Sequence, residues 1–208
     1  RSRFSMLVGL SLLWGIVIVG AMICVARYSV TPGAVGKVPA HWPESSLIMR
    51  DVERATLLMF AHPNCPCTRA SLAELAQLTA DCRGRVSAQV WFVQPVGTDP
   101  QWTNTDLWAM AAAIPGVAVA VDHEGREARR FAAETSGQTL LFDQAGQLQF
   151  QGGITLARGH MGDNPGLLAV EARLQTGHGD VICSPVFGCG LQNRVTLSPT
   201  TLPEAGKP

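Results

Sequence analysis

Residues 4–26, FSMLVGLSLLWGIVIVGAMICVA, form 23 consecutive positions without a charge. As a helix rising ~1.5 Å per residue the run is roughly 34 Å long, enough to cross a hydrocarbon core of ~30 Å. No polar face interrupts it, which argues against a buried core helix. Trp14 lies mid-span, while Tyr28 and Arg27 lie where an interface anchor belongs. The competing reading is a cleaved signal peptide, but the run is long for one and no A-x-A site follows. Cys24 falls inside the span, and Ala21-Met22-Ile23 before it lacks the small residue that precedes a lipid-carrying cysteine. Arg1 and Arg3 precede the run and Arg27 follows it, a slight bias toward a cytoplasmic N-terminus. The expectation is a single-pass anchor over residues 1–28 in a bacterial inner membrane. The remainder would then face the periplasm, where disulfides persist.

That remainder has the composition of a folded domain. Hydrophobic residues make up 47% of the chain and charged residues 15%. Lys+Arg and Asp+Glu both number 16, and setting aside Arg1, Arg3 and Arg27 leaves 13 basic against 16 acidic groups. Nothing in this balance calls for a nucleic acid partner. Six cysteines in 208 residues are too few for a disulfide scaffold and enough for a redox or metal site.

Residues 29–43, SVTPGAVGKVPAHWP, read as a Pro/Gly linker. Residues 44–176 then alternate strand and helix patterns. Strands are expected at 55–61, 86–93 and 117–121, and helices at 68–80, 104–113, 124–134 and 164–175. Residues 139–142 and 147–151, joined by Asp143-Gln144-Ala145-Gly146, read as a hairpin. The order predicts an α/β domain, a central mixed sheet flanked by helices in a thioredoxin-like arrangement. Residues 177–208 are a Gly/Pro-rich tail carrying Cys183 and Cys189.

The chemistry-bearing motif is His62-Pro63-Asn64-Cys65-Pro66-Cys67-Thr68-Arg69, between the first strand and its helix. Pro66 suits the first helical position, where its missing N–H is not needed. That places Cys65 at the N-cap as the more exposed sulfur, and Cys67 in the first turn. Free N–H groups and the helix dipole favour a thiolate there, with Arg69 and a protonated His62 as further positive charges. A Cys65–Cys67 disulfide would close a small, strained ring, and strained disulfides are labile and oxidising. The pair is therefore either a dithiol/disulfide couple, or each sulfur has another partner.

Residues 60–75 (FAHPNCPCTRASLAEL), 135–155 (TSGQTLLFDQAGQLQFQGGIT), 158–164 (RGHMGDN) and 185–191 (PVFGCGL) carry a family resemblance. From residue 56 to about 176 the chain resembles the thioredoxin-like superfamily, and is most similar to its membrane-anchored RedB-type members. The resemblance implies a periplasm-facing redox or thiol domain and supplies no substrate; the cysteine motif leads us to expect protein thiols or disulfides as partners and no cofactor. Two departures stand out. The motif is C-P-C instead of C-x-x-C, and Gly137 or Gln138 stands where thioredoxins place a cis-proline. In that family the proline helps bind extended substrate and keeps metal off the cysteines.

Cys189 reads either as a resolving thiol that returns to Cys65 or Cys67, or as one half of a satellite disulfide with Cys183. Cys82 is expected to be a buried helix-end residue. His160 precedes the last helix, and with Cys65 and Cys67 it would make a site for copper(I) or zinc. Two functions are therefore expected of the same cysteines. One is thiol–disulfide exchange through Cys65, Cys67 and Cys189, supported by His62, Pro66 and Arg69. The alternative is a metal-binding or metallochaperone domain.

Overall fold

The structure, a computed structural model, describes residues 2–177 and 182–192. Helix α1 (Ser2–Val30) contains the apolar run. An 18-residue stretch within residues 3–30 has a mean hydropathy of 2.5 and none of it is buried against the rest of the chain, so its length and composition suit a membrane span.

The domain is built on strand β1 (Ala55–Ala61), in which every residue after Ala55 is buried. Its side chains alternate between two cores, as strand geometry requires. Leu57, Met59 and Ala61 pack with Leu72, Leu75 and Leu78 of helix α2 (Thr68–Asp81) and with Leu167 and Val170 of helix α5 (Pro165–Thr176). Leu58 and Phe60 pack on the other face with Phe131, Leu140 and Phe142. This two-sided burial is why the β1 sequence is continuously apolar.

Strands β2 (Val86–Gln94) and β3 (Val117–His123) add in parallel on one side of β1. Strands β4 (Gln138–Phe142) and β5 (Leu148–Gly152) add antiparallel on the other. A two-residue strand β6 (Ile182–Cys183) completes the order β3-β2-β1-β4-β5-β6. Helix α3 (Asp106–Ala112) is capped by the Thr105 side chain, and α5 by Asn164. The turn between β4 and β5 is held by the Asp143 carboxylate, which accepts from the Ala145 and Gln147 N–H groups.

One helix is shorter than its pattern suggests. The expected helix over 124–134 is only α4 (Arg126–Arg130). It starts after Gly125, where the buried Asp122 carboxylate accepts from the N–H groups of Glu127 and Ala128 at 2.9 and 2.8 Å. It ends where Ala132 adopts φ 51°, which turns the chain so that Phe131 drops into the core. Burial of one large ring overrides the helical periodicity.

The Pro/Gly segment is laid along the domain. The N–H of Leu148 donates to Ala40 O and that of Trp42 to Gly146 O. Thr135 Oγ1 donates to Ala34 O at 2.6 Å, and the Gly33 N–H donates to Val186 O at 2.8 Å. Trp42 packs edge-on against Phe131 and Phe142, each at 5.1 Å between ring centroids.

Candidate functional site

The C-P-C turn follows β1 and leads into α2, as expected, but the helix starts later than the sequence suggests. Cys67, not Cys65, is the N-cap of α2, with no side-chain capping bond. The donors near Cys65 are first used in the turn itself. The Asn64 N–H goes to His62 Nδ1, the Cys65 N–H to His62 O, and the Thr68 N–H to Cys65 O at 3.0 Å. Cys65 is also not the exposed sulfur: it is completely buried, while Cys67 is half-buried.

The tail reaches Cys65. The N–H of Cys189 donates to Cys65 Sγ at 3.4 Å across 124 residues of sequence. Around it, the Ser136 N–H donates to Cys189 O and the Leu191 N–H to Glu134 O, both at 2.8 Å. Thr135 and Gly190 form an antiparallel bridge. Residues 186–191 thus add a short strand-like segment to the loop that precedes β4. That loop holds Gly137 at φ +87°, its N–H on Phe60 O, in place of a proline. A Cβ at this glycine would meet Ser71 Oγ at 2.7 Å, so both the space and the dihedral favour glycine.

The electrostatics separate the sulfurs. Burial pushes the Cys65 thiol up, but hydrogen bonds from the Cys189 thiol, the Thr68 hydroxyl and the N–H groups of Cys189 and Thr68 outweigh it, leaving the thiol below its ordinary range. Burial, then the neighbouring Cys65 charge, raise Cys67, with Arg158 opposing. Cys189 is pushed up to about 12 by burial and by its hydrogen bond to Cys65. Of the three sulfurs, Cys65 is thus the one whose thiolate form is favoured, while Cys67 and Cys189 are shifted toward the thiol.

A hydroxyl relay orients the donors. The His62 N–H donates to Ser136 Oγ at 2.8 Å, and Ser136 Oγ lies 2.7 Å from Thr68 Oγ1. Each hydroxyl has one proton. With the Thr68 proton on the Cys65 thiolate, that of Ser136 must point at Thr68 Oγ1. The chain His62 N–H, Ser136, Thr68, Cys65 then runs in one direction, with all its hydroxyl oxygens buried.

The cation at the site is Arg158, which the sequence reading left without a role. Its guanidinium donates to Gly188 O and Tyr28 O, lies 4.7 Å from the Tyr28 ring centroid, and faces Cys67. The other expected positive groups do not serve. Arg69 pairs with Asp106 in an exposed ion pair. Burial lowers the pKa of His62, whose ring meets Trp102 edge-on at 5.7 Å between centroids. Pro66 is exposed on the outside of the turn.

Cys65, Cys67 and Cys189 are thus brought together. Cys183 is not with them: it lies on β6 against Gln151 Nε2 at 3.1 Å, and every cysteine carries a free thiol. Cys82 is buried at the end of α2. His160 is exposed with Nδ1 2.8 Å from Arg158 O. Among the described residues no group of three or more His, Cys, Asp or Glu side chains is disposed to hold a metal ion. His178 and residues 193–208 lie outside the described residues.

No family model and no curated protein matches the chain. Solved structures do. An uncharacterized conserved protein from Geobacillus kaustophilus is 19% identical with a TM-score of 0.59, over 80% of this chain and 94% of that one. A hypothetical protein from Sinorhizobium meliloti 1021 is 18% identical with a TM-score of 0.54, over 78% and 96%. A pneumococcal exposed lipoprotein thioredoxin from Streptococcus pneumoniae strain TIGR4 is 15% identical with a TM-score of 0.44, over 59% and 84%. The fold is thioredoxin-like by its topology, with β2 and β3 parallel to a central β1 and a β4–β5 hairpin whose first strand is antiparallel to it. These likenesses concern the fold, and the chemistry has to be argued from the site itself.

Proposed function

We propose that this chain is a membrane-tethered thiol–disulfide redox protein working through Cys65, Cys67 and Cys189, of the RedB type that its motifs resemble. Helix α1 anchors it in a bacterial inner membrane, with its N-terminus cytoplasmic and its thioredoxin-like domain in the periplasm. Its partners are protein thiols or disulfides. The observation that carries this reading is the contact of Cys189 with Cys65 at 3.4 Å, which sets the sulfur favoured as thiolate beside one shifted toward the thiol.

The Cys65 thiolate attacks one sulfur of a partner disulfide, forming a Cys65–partner mixed disulfide and releasing the partner's other sulfur as a thiolate. Cys189, or Cys67, then gives up its proton to that leaving thiolate and attacks Cys65 Sγ. The second partner sulfur leaves, and the protein keeps an internal disulfide. Two electrons have passed to the partner. Run backward, the same steps oxidise a partner dithiol. The exchange needs only the sulfurs and no cofactor. A copper or zinc role for Cys65, Cys67 and His160 has less support, because these residues are not gathered into a ligand set.

The test is a redox titration of the full chain in detergent, with disulfides mapped by mass spectrometry. The anchor-proximal residues are kept because Gly33 and Ala34 hold the site's surroundings. A reversible disulfide from Cys65 to Cys189 or Cys67, lost in Cys65→Ser, is expected. All three sulfurs staying reduced under oxidising buffers refutes the proposal.

A further inference from the structure

We infer that residues 186–191 occupy the groove that receives a redox partner, and that this groove takes an extended segment with glycine directly before its cysteine. This rests on the redox reading above and names the substrate class for the same site.

The segment is held by backbone hydrogen bonds and by three buried side chains, Val186, Phe187 and Leu191. Its bonds are the Ser136 N–H to Cys189 O, the Leu191 N–H to Glu134 O, the Gly33 N–H to Val186 O, and the Arg158 guanidinium to Gly188 O. Backbone pairing of this kind accepts any sequence and fixes only an extended conformation. The sharpest selectivity is at Gly188: a Cβ there would overlap the Ser136 carbonyl oxygen, part of the loop to which the strand is bonded. The residue before the cysteine must therefore be glycine, or the strand must move off. Upstream, Val186 and Phe187 are buried, so apolar residues suit those places. Beyond Gly190 a cavity of about 430 Å³, lined by Ala34, Arg129, Glu134 and Gln192, leaves room for a longer segment to continue.

The tail also denies access. Cys65 has no exposed surface and the segment sits against its sulfur, so a partner that docks in this groove has to displace residues 186–191. The chain's own Gly-Cys segment thus competes with the partner for one groove, and a partner that succeeds matches it.

The probe is a pair of peptides, Val-Phe-Gly-Cys-Gly-Leu and Val-Phe-Ala-Cys-Gly-Leu, each a mixed disulfide with thionitrobenzoate. They are presented to the full reduced chain in detergent. Attack by Cys65 joins the peptide sulfur to Cys65 and releases coloured thionitrobenzoate. Forcing a methyl into a packed contact costs enough to slow the alanine peptide roughly tenfold or more. In parallel, Gly188→Ala in the full chain should displace the segment and speed alkylation of Cys65 by a similar factor, with circular dichroism reporting whether the variant folds. Should it not fold, the peptide pair decides alone. Equal rates for the two peptides, with Cys65 as the reacting sulfur, overturn the groove and leave the redox reading standing. Thionitrobenzoate release from both peptides that is unchanged in Cys65→Ser overturns both.

Discussion

Replacing Thr68 by valine tests the hydroxyl relay directly. Valine keeps the branched shape of a side chain that is completely buried, and removes both the donor to Cys65 Sγ and the acceptor for the Ser136 hydroxyl. A hydrogen bond to a charged group is worth ~1.5–3 kcal/mol. The low end applies, because sulfur is a diffuse acceptor and the Cys189 thiol and two N–H donors remain. About 1.5 kcal/mol lowers the ratio of thiolate to thiol at Cys65 roughly tenfold. Alkylation should slow by less. A more basic thiolate is a better nucleophile, with a Brønsted slope of ~0.4–0.5, so the rate at a pH below both titrations falls only about threefold. The assay pairs an ultraviolet titration of thiolate absorbance, taken against Cys65→Ser, with alkylation followed at the Cys65 peptide by mass spectrometry. The two readouts must differ in this way, and Thr68→Ser must return both to wild type. Superimposable titrations of Thr68→Val and wild type would refute the relay. A serine variant shifted as far as the valine one would show packing, not the hydroxyl, to be responsible.

Arg158→Met should lose the bonds to Gly188 O and Tyr28 O, lower stability by about 1–2 kcal/mol in thermal unfolding, and speed alkylation of Cys65 by loosening the tail. Arg158→Lys should not restore these properties, since one ammonium cannot replace the forked guanidinium; full recovery with lysine would count against the clamp. Asp122 has its carboxyl pushed up by burial, with the N–H groups of Ala128 and Glu127 opposing. A raised carboxyl binds its proton more tightly when folded, so its contribution is complete at low pH and is lost as pH climbs from the ordinary carboxylate range through the raised folded value. Asp122→Asn should therefore gain on wild type across that window in denaturant unfolding; a pH-independent difference between the two would contradict the assignment.

The elements were legible where one physical rule dominated. The apolar continuity of residues 55–61 gave a strand buried on both faces, and the Asn164-Pro165 pair marked the start of α5. The turn carrying Cys65 and Cys67 was legible because Pro66 punctuates a strand-to-helix junction. Long-range docking was not. Cys65 looks exposed in its local sequence, yet it is buried and in contact with a segment 124 residues away. Arg158 carries no local sign of facing a sulfur, although it stands in a Gly-containing loop just past the hairpin. Helix α4 is short because Phe131 turns inward, a demand of the opposite sheet face that periodicity along the chain does not record.

The segment between α1 and the domain bears on how far the protein can reach. Fifteen residues of Gly-rich coil would span roughly 20 Å root-mean-square and let the domain swivel freely. Here Arg158 grips Tyr28, its own N–H donates to Ser29 O, and Gly33, Ala34 and Ala40 are each bonded onward to the domain. The connection is a stiff bracket, not a leash. It fixes the angle at which the sulfurs point away from the helix axis, so a protein that exchanges electrons with them has to come in along that bearing.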